Sequence, residues 1–318
     1  MTGERLTPER RLTMFLGVEI GGTKLQVGVG LGEGSIVELV RRDVDRTAGA
    51  YGILQQLAEV LPTLASRYPI ARVGVGFGGP IDPAAGHTIT SHQIAGWDDY
   101  PLAAWIRERV GLLAQLGNDA DLAALAEARF GAGRGSDPVF YITVGTGIGG
   151  GFVRRGELHV GHGPAAAEIG HLRPGPTAVD PHDTVESIAS GLAIERAAAV
   201  LADDPVFKSL GGRRITAREL AEAAQSGHAP SKLILDRATT TLGWAVAQVV
   251  TLLSPEIVVI GGGVALLGEA MFYEPVRRAA AQFVFPPLRR SLRIAAPELG
   301  ETTVVHGALA LARDGAAI

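Results

Sequence analysis

The chain has 318 residues, 47% of them hydrophobic, enough to bury a large core and beyond the size at which one core usually divides. Twenty-nine Lys and Arg against 33 Asp and Glu leave a net charge of −4 with no basic block, which argues against a nucleic-acid partner. Cysteine is absent, so this chain has no disulfide and no thiolate-held zinc, in keeping with a reducing compartment. The polar opening MTGERLTPERR has no secretory pattern, and no run is long and apolar enough to cross a bilayer, so a cytoplasmic protein without a membrane partner is expected.

In chain order, strands are predicted over 15–20, 24–30, 72–77, 113–116, 139–144, 151–154 and 256–260. Between them, helices are predicted over 50–68, 102–110, 122–130, 188–201, 216–224, 231–254 and 271–283. Strands alternating with Ala-rich helices indicate an α/β fold. The stretch 161–183, rich in Gly, Pro and His, reads as a long functional loop.

Two segments echo each other. LGVEIGGTKLQVGVG (16–30) and YITVGTGIGGGFVRRG (141–156) both read as strand, glycine-rich turn with a threonine, then strand. A Walker A loop would open a helix after its lysine, whereas Leu25, Val27 and Val29 alternate as in a strand. Phe152 and Val153 exclude a dinucleotide fingerprint for the same reason. Either turn alone could be a plain hairpin. Two matching hairpins point to a duplicated two-lobed fold with a triphosphate held between the lobes, because glycines let backbone N–H groups approach phosphate oxygens.

LGNDADLAALAEARFGAG (116–133) places Asn118 and Asp119 where a strand ends and a helix begins. They read either as an N-cap pair or as a carboxylate poised to orient a hydroxyl and take its proton. In AAAEIGHLRP (165–174), Glu168 and His171 lie three apart and would suit adjacent sugar hydroxyls. A solvated surface pair, or a metal site among His162, His171, Asp180, His182 and Asp183, are the competing readings, although no recognised ligand spacing is present.

GVEIGGTK, GVGFGGPID, IAGW, GNDAD, YITVGTGIGGG, EIGH, VESIASG and IVVIGGGV occur in an order and spacing that resemble the ROK family of bacterial sugar kinases and repressors, from about Phe15 to Gly307. The resemblance implies a two-lobed, duplicated fold similar to actin and hexokinase (ribonuclease H-like), with an interlobe active-site cleft. Residues 1–118 and a returning C-terminal helix (302–318) would form the small lobe, and 119–301 the large one. It implies ATP and Mg²⁺ as cofactors, a sugar substrate and a homodimer.

Carried over by position, the resemblance puts Gly21, Gly22, Thr23 and Lys24 in the first phosphate turn and Gly145, Thr146, Gly147 and Gly149 in the second. Gly261, Gly262 and Gly263 would cradle the adenosine, though they also read as an ordinary strand-to-helix turn. Asp119 takes the general-base position, and Gly79, Gln93, Asn118, Asp119, Glu168, His171 and Glu186 the sugar contacts. Glu19, where aspartate is more usual, would reach Mg²⁺ through water.

The family's cysteine zinc motif is replaced here by HLRPGPTAVDPHDTVES (171–187), so no structural zinc is expected, and the loop must place His171 and Glu186 by packing and hydrogen bonds. Gln93 replaces the usual asparagine, Asp121 a second asparagine, and Gly78 a common proline. A hexose kinase acting on glucose is the first expectation; a fructokinase or an N-acyl or amino-hexose kinase of the same family, and a catalytically silent sugar-binding protein, are the alternatives. A repressor is not expected, since residues 1–13 are too few for a helix-turn-helix.

Overall fold

The computed structural model describes residues 13–315 apart from 92, 163–164, 175–179 and 181. Two compact units emerge: one runs to Leu122 and resumes at Thr302, and the other is Ala123–Glu301.

The first unit contains β1 (Met14–Ile20), β2 (Lys24–Gly30), β3 (Ile36–Asp43), α1 (Gly49–Arg67), β4 (Ile70–Phe77), the short pair β5 (Ile81–Asp82) and β6 (His87–Thr88), α2 (Leu102–Val110) and β7 (Leu113–Asn118). α3 (Asp119–Phe130) begins in this unit and continues into the second. The second unit adds β8 (Val139–Val144), β9 (Ile148–Arg154), β10 (Glu157–Leu158), α4 (Val185–Ala189), α5 (Gly191–Ala198), α6 (Ala217–Gln225), α7 (Ala229–Leu253), β11 (Ile257–Gly261), α8 (Glu274–Phe283) and β12 (Ile294–Ala295). α9 (Thr303–Asp314) belongs to the first unit.

The same sheet is built twice. Its orders are β3-β2-β1-β4-β7 and β10-β9-β8-β11-β12. In each, the first strand pairs antiparallel with the second through a glycine turn and parallel with the fourth. The segments that echo each other in sequence are therefore the equivalent hairpins of a duplicated α/β fold.

In the first sheet, strand alternation decides what each face meets. Leu16, Val18 and Ile20 pack with Ile53, Leu57 and Leu61 of α1. The opposite face carries Phe15, which packs with Val305, Leu309 and Ala312 of α9. Glycines on that face let the helix backbone come close: a Cβ on Gly74 would lie 1.9 Å from the Ala308 carbonyl oxygen. Glu19 lies on the same face, beyond Gly17. In the second sheet, Phe140, Ile142 and Val144 share a core with Leu242 and Val246 of α7.

Several elements depart from expectation. β3, with the pattern IVELVRRD, was not predicted, because an edge strand with one sheet neighbour leaves its charged residues in solvent and shows no apolar alternation. The helix expected over 188–201 is broken at Ser190, whose extended backbone ends α4 and whose hydroxyl accepts from Ala193 N to start α5. The helix expected from 122 begins at Asp119. Within 161–183 the described residues hold one short 3₁₀ turn, Ile169–His171.

Candidate active site

The first half of the site forms at the end of β1 and β2. Their register sets Glu19 opposite Gln26, and alternation puts Lys24 on the same face. Gln26 is fully buried and Glu19 is 7% exposed. Gln26 Nε2 donates to Glu19 Oε2 at 2.8 Å, and Lys24 Nζ lies 3.3 Å from Glu19 Oε1. Burial pushes the Glu19 carboxyl above the usual glutamate range; Lys24 pulls it back, the charge of Asp119 adds to the rise, and Gln26 opposes it. Sequence reasoning missed Gln26. The available signal was a glutamine inside an otherwise apolar strand, on the face that also carries the acid.

Between the strands, Gly21 N donates to the Lys24 carbonyl at 3.0 Å and closes the turn. β2 then runs on as a strand, as the alternation predicts. Gly22 is covered by side chains from elsewhere: a Cβ there would lie 1.8 Å from Gln93 Oε1 and 3.3 Å from Arg46 Nη2. The structure thus brings Gln93, a predicted sugar contact, against the first glycine turn. The segment carrying Gln93 is anchored by Trp97, buried edge-on to Phe77 at 5.3 Å, and by a 2.9 Å bond from Ala50 N to the Ala95 carbonyl.

Asp119 enters the same half-site at the junction of β7 and α3. Asn118 takes the capping role, its Oδ1 accepting from Ala120 N at 2.9 Å and from Asp121 N at 3.4 Å, while its Nδ2 donates to the Gly79 carbonyl at 3.2 Å. Asp119 Oδ1 accepts from Ala120 N at 2.8 Å. Asp119 Oδ2 lies 3.4 Å from where a Gly78 Cβ would stand. Asn118 therefore caps the helix, and Asp119 presents a half-buried carboxylate at the helix's positive end.

The second half-site forms on the other sheet. Gly145, Thr146 and Gly147 make the turn from β8 to β9, with Gly145 N donating to the Gly147 carbonyl at 2.9 Å. Gly149 lies within β9, opposite Thr143, rather than in the turn. Glu186 Oε2 accepts from Ile148 N at 2.7 Å, and Gly191 N donates to the Gly145 carbonyl at 2.7 Å, so α4 and α5 both fasten this hairpin. A Cβ on Gly147 would come within 2.5 Å of Glu186 Oε2 and would push that carboxylate from its place. Gly262, with φ of 92°, sits where a Cβ would lie 2.5 Å from the Val144 carbonyl oxygen, which places the 261–263 turn beside the same hairpin.

Glu168, His171 and Glu186 are brought together. Glu168 keeps much of its surface in solvent, yet desolvation of its carboxyl is the main cause raising it above the usual range; His171 opposes the rise and Glu186 adds to it. The ends of the loop between His171 and Glu186 are joined by Val185 N donating to the Leu172 carbonyl at 2.8 Å, and a capping box of Thr184 and Ser187 starts α4. Hydrogen bonds and the buried Ile169 and Val185 thus hold the loop ends. Among the described residues, no three His, Asp or Glu side chains gather as a metal-holding group, so the alternative metal site finds no support there.

A doubled five-stranded sheet, each copy bearing a glycine-threonine hairpin at one end, defines a duplicated α/β scaffold of the actin and hexokinase type. The ROK family model matches residues 15–315, and the chain belongs to that family. It is 32% identical to a glucokinase of Thermotoga maritima over 94% of this chain and 97% of that protein. Among solved structures, it resembles a ROK family glucokinase from Streptomyces griseus crystallised with glucose and AMPPNP (31% identity, 95% of this chain and 100% of that one, TM-score 0.79). A ROK hexokinase from Thermus thermophilus is similarly close (29% identity, 96% and 99% coverage, TM-score 0.80).

The Glu186 bond carries a testable consequence. Glu186→Ala should speed hydrogen exchange at the Ile148 amide about tenfold or more, as expected for loss of a hydrogen bond to a charged acceptor, without changing amides within β8. Unchanged protection at Ile148 would remove Glu186 from its positioning role.

Proposed function

We propose that this chain is an ATP- and Mg²⁺-dependent hexose kinase that phosphorylates the 6-hydroxyl of glucose with Asp119 as general base. The observation that carries the proposal is the division of labour at the start of α3. Asn118 caps the helix end, Asp119 Oδ1 accepts from Ala120 N, and Asp119 Oδ2 lies 3.4 Å from where a Cβ on Gly78 would stand. The similarity to glucokinases, one of them crystallised with glucose and AMPPNP, supports the choice of substrates.

In this mechanism Asn118, Asp119, Gly79, Glu168, His171 and Glu186 supply the acceptors and donors for the sugar hydroxyls. Asp119 takes the proton of the 6-hydroxyl as that oxygen bonds to the γ-phosphorus. The bond from phosphorus to the bridging oxygen breaks, and its electron pair leaves on ADP. Backbone N–H groups of the two glycine turns meet the charge on the transferred group, so positioning supplies most of the rate. Exclusion of water while both substrates are bound prevents loss of the phosphoryl group to hydrolysis.

The residues present fit a magnesium ion. Glu19 and Asp119 are close enough for mutual repulsion to raise Glu19, a tension that a divalent cation would relieve. Each Glu19 oxygen already has a partner, Gln26 on one and Lys24 on the other, so Glu19 would hold the ion through water. When bound, Mg²⁺ would neutralise phosphate charge.

Asp119→Ala should lower kcat by ~10² to 10⁴-fold, a larger loss than the accompanying loss of sugar affinity, in a coupled ATP assay paired with direct sugar titration. Near-normal turnover would overturn the assignment. Because Glu168 is raised above its ordinary value of 4.5, it protonates earlier as pH falls, losing its charge and part of its acceptor capacity. KM for the sugar should therefore climb on acidification with a midpoint above 4.5, and Glu168→Gln should abolish that dependence. A pH profile unchanged by the substitution would exclude Glu168 from the sugar contacts.

A further inference from the structure

We propose that Arg46 is a donor-phosphate contact, a guanidinium held on the first glycine turn to engage the polyphosphate chain of the phosphoryl donor. The inference rests on the phosphoryl-transfer reading above and adds a residue that no motif marks.

Three observations place Arg46. The segment after β3 is fastened to the turn at two points: Val44 N donates to the Thr23 carbonyl at 3.0 Å, and Arg46 Nε donates to the Gly22 carbonyl at 2.7 Å. Asp45 fixes the 3₁₀ turn Arg46–Ala48, its Oδ1 accepting from Thr47 N at 2.8 Å and from the Thr47 hydroxyl at 2.6 Å. Gly22 itself is shaped to admit the arginine, since a Cβ would stand 3.3 Å from Arg46 Nη2 and would collide with Gln93.

The charge balance then singles out this side chain. The lysine of the turn, Lys24, is matched by Glu19 at 3.3 Å. Asp45, the acid next to Arg46, is held below the usual aspartate range chiefly by the Thr47 hydroxyl, and its carboxylate faces that residue. Arg46 pairs with no acid among the described residues, and it spends one N–H on the Gly22 carbonyl. The four N–H groups of its two Nη nitrogens remain for a ligand. A planar guanidinium with that many free donors, anchored at Nε beside bare glycine backbone and the exposed Thr23, matches the bidentate geometry of phosphate oxygens. Gln93 also packs against Gly22 and adds an uncharged polar group beside the turn.

The chemistry recognised is a chain of linked phosphates, which a nucleoside triphosphate and an inorganic polyphosphate both carry. The test compares wild type, Arg46→Ala and Arg46→Lys in the full chain. Steady-state assays would use ATP or inorganic tripolyphosphate as donor, and calorimetric titration would use tripolyphosphate without sugar. Arg46→Ala should raise KM for ATP about tenfold or more with sugar KM changed less than about twofold, and should weaken tripolyphosphate binding by a similar factor. Arg46→Lys should restore part of the loss, since it keeps the charge without the fork. Turnover with tripolyphosphate would name inorganic polyphosphate as a donor, and turnover with ATP alone would name the nucleotide; either supports the contact if Arg46→Ala weakens it. The proposal falls if wild type does not bind tripolyphosphate, if Arg46→Ala leaves donor KM unchanged, or if sugar KM rises in step with it. Should wild type transfer phosphate to no hexose, the kinase reading fails by itself, and tripolyphosphate titration still decides whether Arg46 holds phosphate.

Discussion

The pairing of Glu19 with Gln26 across β1 and β2 is the contact on which the first half-site depends. It buries a carboxylate that would otherwise be costly to desolvate, and it does so only because a glutamine and a lysine stand on the same face of the next strand. Slipping β2 by one residue against β1 would send Leu25 to the polar side and turn Gln26 away from Glu19. The glycine turn between the strands is held in one place by the same register, and the Asp119 carboxylate feels the charge of Glu19. A stable sheet and a chemically loaded turn are thus consequences of one strand pairing.

The second half-site reaches the same end by a different route. Its turn has no buried acid at its base. Glu186 arrives from a helix, and Gly191 from the start of the next one, to fix the backbone of the hairpin. The break at Ser190 that splits α4 from α5 makes this possible, because it lets one helix supply a carboxylate and the next supply a free N–H group. The loop that carries His171 is joined to α4 through the Leu172 and Val185 backbone, so Glu168, His171 and the hairpin are linked through a few short bonds.

Much of this was legible in the sequence where a local period carried the signal. Alternation of Leu25, Val27 and Val29 revealed a hairpin, and repetition of strand, glycine turn and strand at 141–156 revealed the duplication. The strand-to-helix junction at Asn118-Asp119 was legible because a strand-ending Asn-Asp precedes an Ala/Leu run, as a helix N-terminus does. What failed to show were properties of distant pairing. β3 has no apolar period because water covers its charged residues, and without β3 nothing brings Arg46 to Gly22, 24 positions earlier. Gly149 reads as part of a glycine run, yet the ladder to Thr143 places it in the strand, a distinction of one or two residues that composition does not encode. The packing of Gln93 on Gly22, anchored by Trp97 and Ala95, is likewise set by contacts between segments far apart in the chain.

The central claim is that the protein moves a phosphoryl group from ATP to the 6-hydroxyl of a hexose. It is tested most directly by following uniformly ¹³C-labelled glucose with MgATP and the purified protein by ³¹P and ¹³C NMR. The account predicts one ADP formed per hexose 6-phosphate, with the carbon-phosphorus coupling at C6. Phosphate on another carbon, or ATP consumed without a sugar phosphate from glucose or any other hexose supplied, would contradict it.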